Sequence, residues 1–326
     1  MTCLRGTFLI FICSASYFQC APYSLPEKKS YSQTEDPYTY YVQSIEAYQK
    51  GEYARALEDI ERAILLNKDM AKFYQLKGDI FRAQFNYAQA IGAYEQALKK
   101  RSNFIEVQEA IADIYLEQKN FDEAIRAYKK VIGLKPERTD VLLKIADCYL
   151  LWNEVEVAQH HLDNYERTVG QYKQPVSDTY FEIRADAHFR QQKYDASIAA
   201  LNEIKTPGRR ALYLSGLNYY ALGDFERGVG FFNKLLSLNK DEGEWYYYRG
   251  IYFFQKDDLK DALNQFLMAQ KLDDTLTEVS YYLGKIYLQN GEQKAARQQF
   301  EIYKKSGLDP EKTIEIEKYL LPQKSE

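Results

Sequence analysis

Three histidines, four cysteines and 47 acidic residues are the groups in this 326-residue chain that could hold a metal or carry acid–base and nucleophilic chemistry. Their spacing does not assemble such chemistry. His160 and His161 are adjacent, so on a helix they point about 100° apart and cannot chelate as an i, i+4 pair. His188 falls at a helix position that is normally buried and reads as a satisfied core histidine. No GxxxxGK[ST], GxGxxG, GxSxG, HExxH or CxxC pattern occurs. Catalysis needs a nucleophile, a base and a stabilising group at one place, and no stretch is left over that could form a catalytic domain. The chain reads as a non-enzyme with no metal and no small-molecule cofactor.

Three of the four cysteines belong to the N-terminus. Arg5 precedes the apolar run "TFLIFICSASYF", and "QCAPYSLPEKKS" follows. A positive residue, a short apolar run and small residues make a secretory signal, too short for the roughly 20 residues of a comfortable membrane span, although an uncleaved anchor stays open. Two processing routes compete: cleavage near Ser14, Ala15 and Ser16, or cleavage before Cys20 with lipidation of its thiol. "SYFQC" resembles a bacterial lipoprotein box, with Phe18 and Gln19 where small residues are usual, as in the relaxed boxes of spirochaetal lipoproteins. Cys13 is disfavoured because "IFIC" lies inside the apolar run. The Cys20 route is preferred because the polar stretch after it has no helical period and suits a tether. Residues 1–19 are then a signal peptide and 20–36 a flexible spacer. Cys148 is left without a disulfide partner and is expected as a small buried hydrophobe.

The formal charge is −4 and the isoelectric point about 5.7, with a mean hydropathy of −0.54. That balance lacks the basic footprint of a nucleic-acid binder. Thirty tyrosines beside only 8 prolines and 16 glycines point to a mostly helical chain that needs large rings repeatedly.

The elements that carry these residues repeat. "KGEYARALEDIERAI" (50–64), "QFNYAQAIGAYEQAL" (84–98) and "QKNFDEAIRAYKKVI" (118–132) align without gaps at intervals of 34 residues. The signature returns in "QQKYDASIAALNEI", "LGDFERGVGFFNKLL", "KDDLKDALNQFLMAQ" and "QNGEQKAARQQFEIY", with a weaker copy in "WNEVEVAQHHLDNY". Repeats starting at 37, 71, 105, 139, 178, 209, 243 and 277 keep three positions. Position 8 is small (Ser44, Gly78, Ala112, Ala146, Ala185, Gly216, Gly250, Gly284). Position 20 is small too, from Ala56 to Ala296, and position 24 is large and apolar, from Ile60 to Phe300. Small residues at 8 and 20 let two helices approach, and the bulky positions fill the space beside them. Gly51, Gly223 and Gly291 at position 15 suit a left-handed turn.

This pattern resembles the tetratricopeptide repeat (TPR) from Pro37 to Pro310. The resemblance implies an all-α fold: an α-solenoid, a right-handed superhelix of about eight helix pairs, closed by a capping helix. Units one to four are expected over 37–172 and units five to eight over 178–310, joined by a connector at 173–177, with the cap and tail at 311–326. The cap would use Ile314, Ile316, Tyr319 and Leu320 as its apolar side. The connector and the short fifth unit leave two readings open: a bend between halves, or merely a lengthened helix and a tight turn.

The family's inner groove is lined by first-helix positions 2, 5, 9, 12 and 13. Position 9 places Asp79, Asp113, Asp147 and Asp186 in four consecutive repeats, a ladder favouring a basic ligand unless neighbouring cations neutralise it. Later repeats place Tyr213, Leu217, Tyr220, Tyr247, Ile251, Phe254 and Tyr281 at groove positions, an apolar patch suited to a partner or to self-packing. In "EWYYYRGIYFF" (244–254), Tyr246 and Phe253 flank Gly250 in the core, Trp245 and Tyr252 seal against the preceding repeat, and Tyr247 and Phe254 face the groove. The Lys and Asn that clamp acidic chaperone tails in some relatives are absent from positions 5 and 9. The expected function is a protein-binding scaffold of the bacterial envelope, taking a protein or peptide segment in its groove. It would be exported and lipid-anchored to the outer membrane, periplasmic or surface-facing, or else periplasmic or secreted. The rivals are a surface protein contacting host molecules or glycans and a self-associating structural subunit.

Overall fold

A computed structural model describes residues 36–320, which form seventeen helices and no strand. The signal peptide, Cys20 and nearly all of the spacer lie outside the described residues. None of the described helices is long and apolar enough to cross a membrane.

The helices come in consecutive antiparallel pairs. The first four pairs are α1 (Pro37–Gln49) with α2 (Tyr53–Leu66), α3 (Ala71–Ala83) with α4 (Tyr87–Lys100), α5 (Ile105–Glu117) with α6 (Phe121–Leu134), and α7 (Thr139–Leu151) with α8 (Val155–Tyr172). Next are α9 (Asp178–Arg190) with α10 (Tyr194–Asn202) and α11 (Arg209–Ala221) with α12 (Phe225–Leu238). The last pairs are α13 (Gly243–Gln255) with α14 (Leu259–Leu272) and α15 (Glu278–Gln289) with α16 (Gln293–Ser306), followed by α17 (Pro310–Leu320). They gather into two compact units, one ending at Ile183 and the other starting at Arg184. That division falls inside α9, not at residues 173–177.

One turn closes all eight pairs. Position 15 is left-handed everywhere: Gly51, Gly223 and Gly291 at φ of +76° to +83°, and Phe85, Lys119, Asn153, Gln192 and Asp257 at +58° to +64°. In each, the next amide donates back to the position-11 carbonyl, as from Glu52 to Ala47 at 2.9 Å and from Asp224 to Tyr219 at 2.8 Å. This six-residue bond satisfies a carbonyl that the helix end would otherwise leave open. Glycine marks only three of these turns, so the left-handed conformation extends beyond what the glycines signal.

Within a pair, positions 8 and 24 interlock. Gly78, Gly216, Gly250 and Gly284 face the rings of Tyr94, Phe232, Phe266 and Phe300, and an added Cβ would lie 2.3–2.7 Å from those rings. Where position 24 is Leu162, Leu201 or Ile60, position 8 instead carries Ala146, Ala185 or Ser44. Serine at the close contact bonds across it: Ser44 Oγ donates to the Ala56 carbonyl and Ser197 Oγ to the Ala185 carbonyl, both at 2.7 Å.

The 173–177 segment is tied back onto the first unit. α8 runs 18 residues against 13 or 14 in its neighbours, and ends at left-handed Lys173. Gln174 accepts from Thr139 Oγ1 at 2.5 Å and donates to the Glu137 carbonyl at 3.0 Å. Ser177 N–H donates to Tyr165 Oη at 2.9 Å, and Tyr165 stacks on Tyr180 with centroids 5.1 Å apart. In the second unit α10 is short, at 9 residues. The cap α17 buries Ile316 against Phe300 and Tyr303 and stacks Tyr319 on Phe300 at 5.7 Å. Ile314 does not join them. It is 69% exposed, because it lies two residues from Ile316 and so projects from another side of the helix.

Candidate functional site

The first-helix carboxylates of the first unit are bound by their own neighbours. Asp79 accepts from Tyr94 Oη at 2.5 Å, and Asp113 from Tyr128 Oη at 2.5 Å and Lys144 Nζ at 2.9 Å. Lys144 also reaches Glu109 at 2.9 Å, and Arg138 joins Glu109 at 2.8 Å to Asp140 at 2.6 Å. Arg82 pairs with Glu117 at 2.5 Å and approaches Asp113 at 3.9 Å. These groups link α3, α5 and α7 through a largely covered ionic lattice. Asp147 is half-buried. A covered charge needs partners within the fold, so Asp79 and Asp113 are not a row of open anions awaiting a basic ligand. Burial raises the Asp79 carboxyl to about 7, outweighing the Tyr94 hydrogen bond and the Arg82 charge.

Asp186 in the second unit departs furthest from the groove expectation. It is 1% exposed and accepts from Arg190 Nε at 2.7 Å and Arg210 Nη2 at 2.8 Å. Burial pushes its pKa up, but the two guanidinium groups prevail and hold it below the usual carboxylate range. It is a cross-link between α9 and α11, closed to solvent.

The aromatic groove positions of this unit divide by exposure. Tyr213, Ile251 and Tyr281 are buried, whereas Leu217, Tyr220, Tyr247 and Phe254 are half-buried. Tyr213 Oη donates to Glu244 at 2.5 Å and Tyr281 Oη to Glu315 at 2.7 Å, so both polar tips are satisfied inside the protein. Tyr220 donates to the Tyr248 carbonyl at 2.5 Å, and its ring occupies the space left by the missing Cβ of Gly228. Tyr247 and Phe254 meet the Tyr282 ring edge-on at 6.0 and 5.4 Å. Part of each remains uncovered. Trp245 packs on Tyr213 at 5.3 Å, Tyr252 Oη reaches Glu226 at 3.2 Å, and Tyr248 stacks on Phe232 at 4.3 Å. Tyr246 and Phe253 are half-buried, less covered than core positions.

Glu244 is half-buried among other acids. Burial raises its carboxyl to about 7 against the Tyr213 hydrogen bond, and Glu242, Asp273 and Glu278 push the same way. His161 stacks on Tyr149 at 5.0 Å. His188 is half-buried and its Nδ1 finds no hydrogen-bond partner, so it is not the satisfied core histidine its position suggests. Cys148 is fully buried. Among the described residues no group of His, Cys, Asp or Glu could hold a metal ion. One feature lies away from every expected position: a cavity of about 560 Å³ on the second-helix side of repeat 2. Its signal in the sequence is Gly92 next to Ala93, the latter at a position where repeats 4 and 6 carry His161 and Phe231.

Models of the tetratricopeptide repeat match residues 41–104, 153–211 and 213–275, and a further one matches 115–171. These segments make up well over half of the chain, which belongs to the tetratricopeptide-repeat family. That family is generally non-catalytic, and its repeats support a role as a protein–protein interaction scaffold. A search of curated proteins found no match. Among solved structures, the chain is similar to a tetratricopeptide repeat protein from Parabacteroides merdae ATCC 43184, at 18% identity and a TM-score of 0.60, covering 77% of this chain and 98% of that one. It is similar to a chain of the APC/C hetero-tetramer Cut9–Hcn1, at 12% identity and a TM-score of 0.62, covering 87% and 56%. It is also similar to Pseudomonas aeruginosa PilF, at 16% identity and a TM-score of 0.52, covering 65% and 96%. These likenesses are of fold.

Proposed function

We propose that this protein is a non-enzymatic scaffold of a bacterial envelope, exported and held to a membrane by lipid on Cys20. It binds a segment of another envelope protein along the first helices of its second unit. The observation that carries this reading is the row Leu217, Tyr220, Tyr247 and Phe254, apolar side chains of α11 and α13 left half-buried. Buried Tyr213 and Ile251 support the row from beneath, so it is preorganised and loses little conformational freedom on binding. A partner helix or strand with apolar anchors would complete the burial. In the first unit, Asp79, Asp113 and Asp147 belong to a polar, internally neutralised face and act as rigid backing more than as bait.

Photocrosslinkers placed in cells at Leu217 and Phe254, with exposed Lys234 on α12 as control, test this reading. Crosslinks to one envelope protein from the first two sites alone support it, and crosslinks from Lys234 alone sink it. The anchor is tested separately: palmitate labelling that survives Cys20→Ala removes the proposed lipid site.

A further inference from the structure

The cavity of repeat 2 has a platform, a wall and an open top. Phe81, at position 11 of α3, is the platform, and Ile64 and Leu65 of α2 form one wall. Gly92 and Ala93, at positions 22 and 23 of α4, line the other side with almost no side chain. Two other repeats fill the corresponding place from within. In repeat 4, position 23 is His161, stacked on Tyr149 at position 11 with centroids 5.0 Å apart and planes 12° apart. In repeat 6, Phe231 stacks on Tyr219 at 5.7 Å and 12°. Repeat 2 keeps the ring at position 11 but has Gly92 and Ala93 at positions 22 and 23; repeat 3 likewise sets Tyr115 beside Ala127, but carries the long Arg126 at position 22. Leu65 is 72% exposed, so the apolar wall opens to solvent.

The rim is polar and carries both signs. Lys77 Nζ lies 5.8 Å from the Phe81 centroid and is held by Glu61 at 2.7 Å, and Gln89 and Gln96 complete the edge. We propose that this cavity takes a tyrosine side chain from a partner protein, its ring laid on Phe81 as Phe231 lies on Tyr219. A ring fits this place because repeats 4 and 6 stack one of their own there. The hydroxyl is specified by the rim: a phenol can donate to Glu61 and accept from Lys77. A phenylalanine would cover that ion pair without either bond. About 560 Å³ also leaves room for the backbone flanking the ring. The site uses positions 11, 22 and 23 and is independent of the first-helix row proposed above.

p-Cresol, the tyrosine side chain as a free molecule, is titrated into the full chain and followed by NMR. Saturable binding at least tenfold stronger than that of toluene is expected. Ala93→Phe, which copies the filled arrangement of repeat 6, should weaken it at least tenfold. Leu65→Asp, at an exposed position, should do the same and decides the matter if Ala93→Phe fails to fold. No saturable binding, or equal binding to wild type and Leu65→Asp, overturns the site. A photocrosslinker at position 65 in cells identifies the occupant. Capture of a tyrosine-bearing segment of another protein supports the proposal. Capture of residues preceding Asp36, of a second copy of this chain, or of nothing overturns it.

Discussion

Gly250 of α13 lies so close to Phe266 of α14 that a Cβ on the glycine would stand 2.6 Å from the ring. Alanine is the better helix former by about 1 kcal/mol, but overpacking an ordered contact costs about 1–3 kcal/mol. Gly250→Ala should therefore destabilise the second unit by up to about 2 kcal/mol. Phe266→Leu recreates the Ala–Leu pairing of repeats 4 and 5 and should offset the added methyl. In urea unfolding, the double variant should be more stable than the summed single effects predict. Strict additivity would remove the interlock as the reason for glycine here. Repeat 3 carries Ala112 and Tyr128 at the same positions, so an alanine can be accommodated beside a ring in this motif.

Phe85, Lys119 and Gln192 hold left-handed turns with exposed side chains, Phe85 at 70%. A side chain in that conformation costs roughly 1 kcal/mol, and glycine relieves it at some expense in unfolded-chain entropy. Replacement of each by Gly should raise stability by about 0.5–1 kcal/mol. Calorimetry on the three single variants checks this. A fall in melting temperature at Phe85→Gly would show that the exposed ring stabilises the turn.

Glu244 should make the second unit less stable as pH rises. Its folded carboxyl, raised to about 7 from the ordinary 4.5, binds a proton more tightly than the unfolded one. Its contribution is therefore complete below pH 4.5 and lost as pH climbs through about 7. Glu244→Gln keeps an acceptor for Tyr213 and cannot ionise. It should match wild type near pH 5 and exceed it at pH 8 by on the order of 1–3 kcal/mol. Asp79, also raised to about 7, adds a slope of the same sign from the first unit. Parallel pH profiles for wild type and Glu244→Gln would refute the assignment.

Asp186 has the opposite sign. Its depressed carboxyl stabilises the fold above the ordinary value of 3.8, and that contribution is lost as pH falls through the folded value. Asp186→Asn leaves two guanidinium groups facing a neutral amide. It should lower stability by about 3 kcal/mol, the low end for breaking a buried ion pair, because Arg190 and Arg210 keep some solvent contact at 16% and 19% exposure. Denaturant titration at pH 7 measures it. A change under 1 kcal/mol would mean that the arginines find other partners.

The helix pairs were legible because each repeat must solve one packing problem: small residues at positions 8 and 20 and a large one at 24 are what two close helices require. Position within the repeat also identified which side chains share the inner face. It did not determine how covered each one is. Asp186 and Leu217 occupy the same position 9, yet one is sealed between two arginines and the other stays half-open. That difference depends on Arg210, 24 residues away in sequence, and no local period reports it. Likewise, the cavity over Phe81 exists because α2, α3 and α4 meet around two missing side chains. The sequence alone determined the repeating helix pairs, since they follow from short-range sterics written at fixed intervals. Tertiary structure alone decided which inner-face groups are neutralised, which stay open, and where a ring is missing, because charge pairing and burial come from residues that only the folded chain brings together.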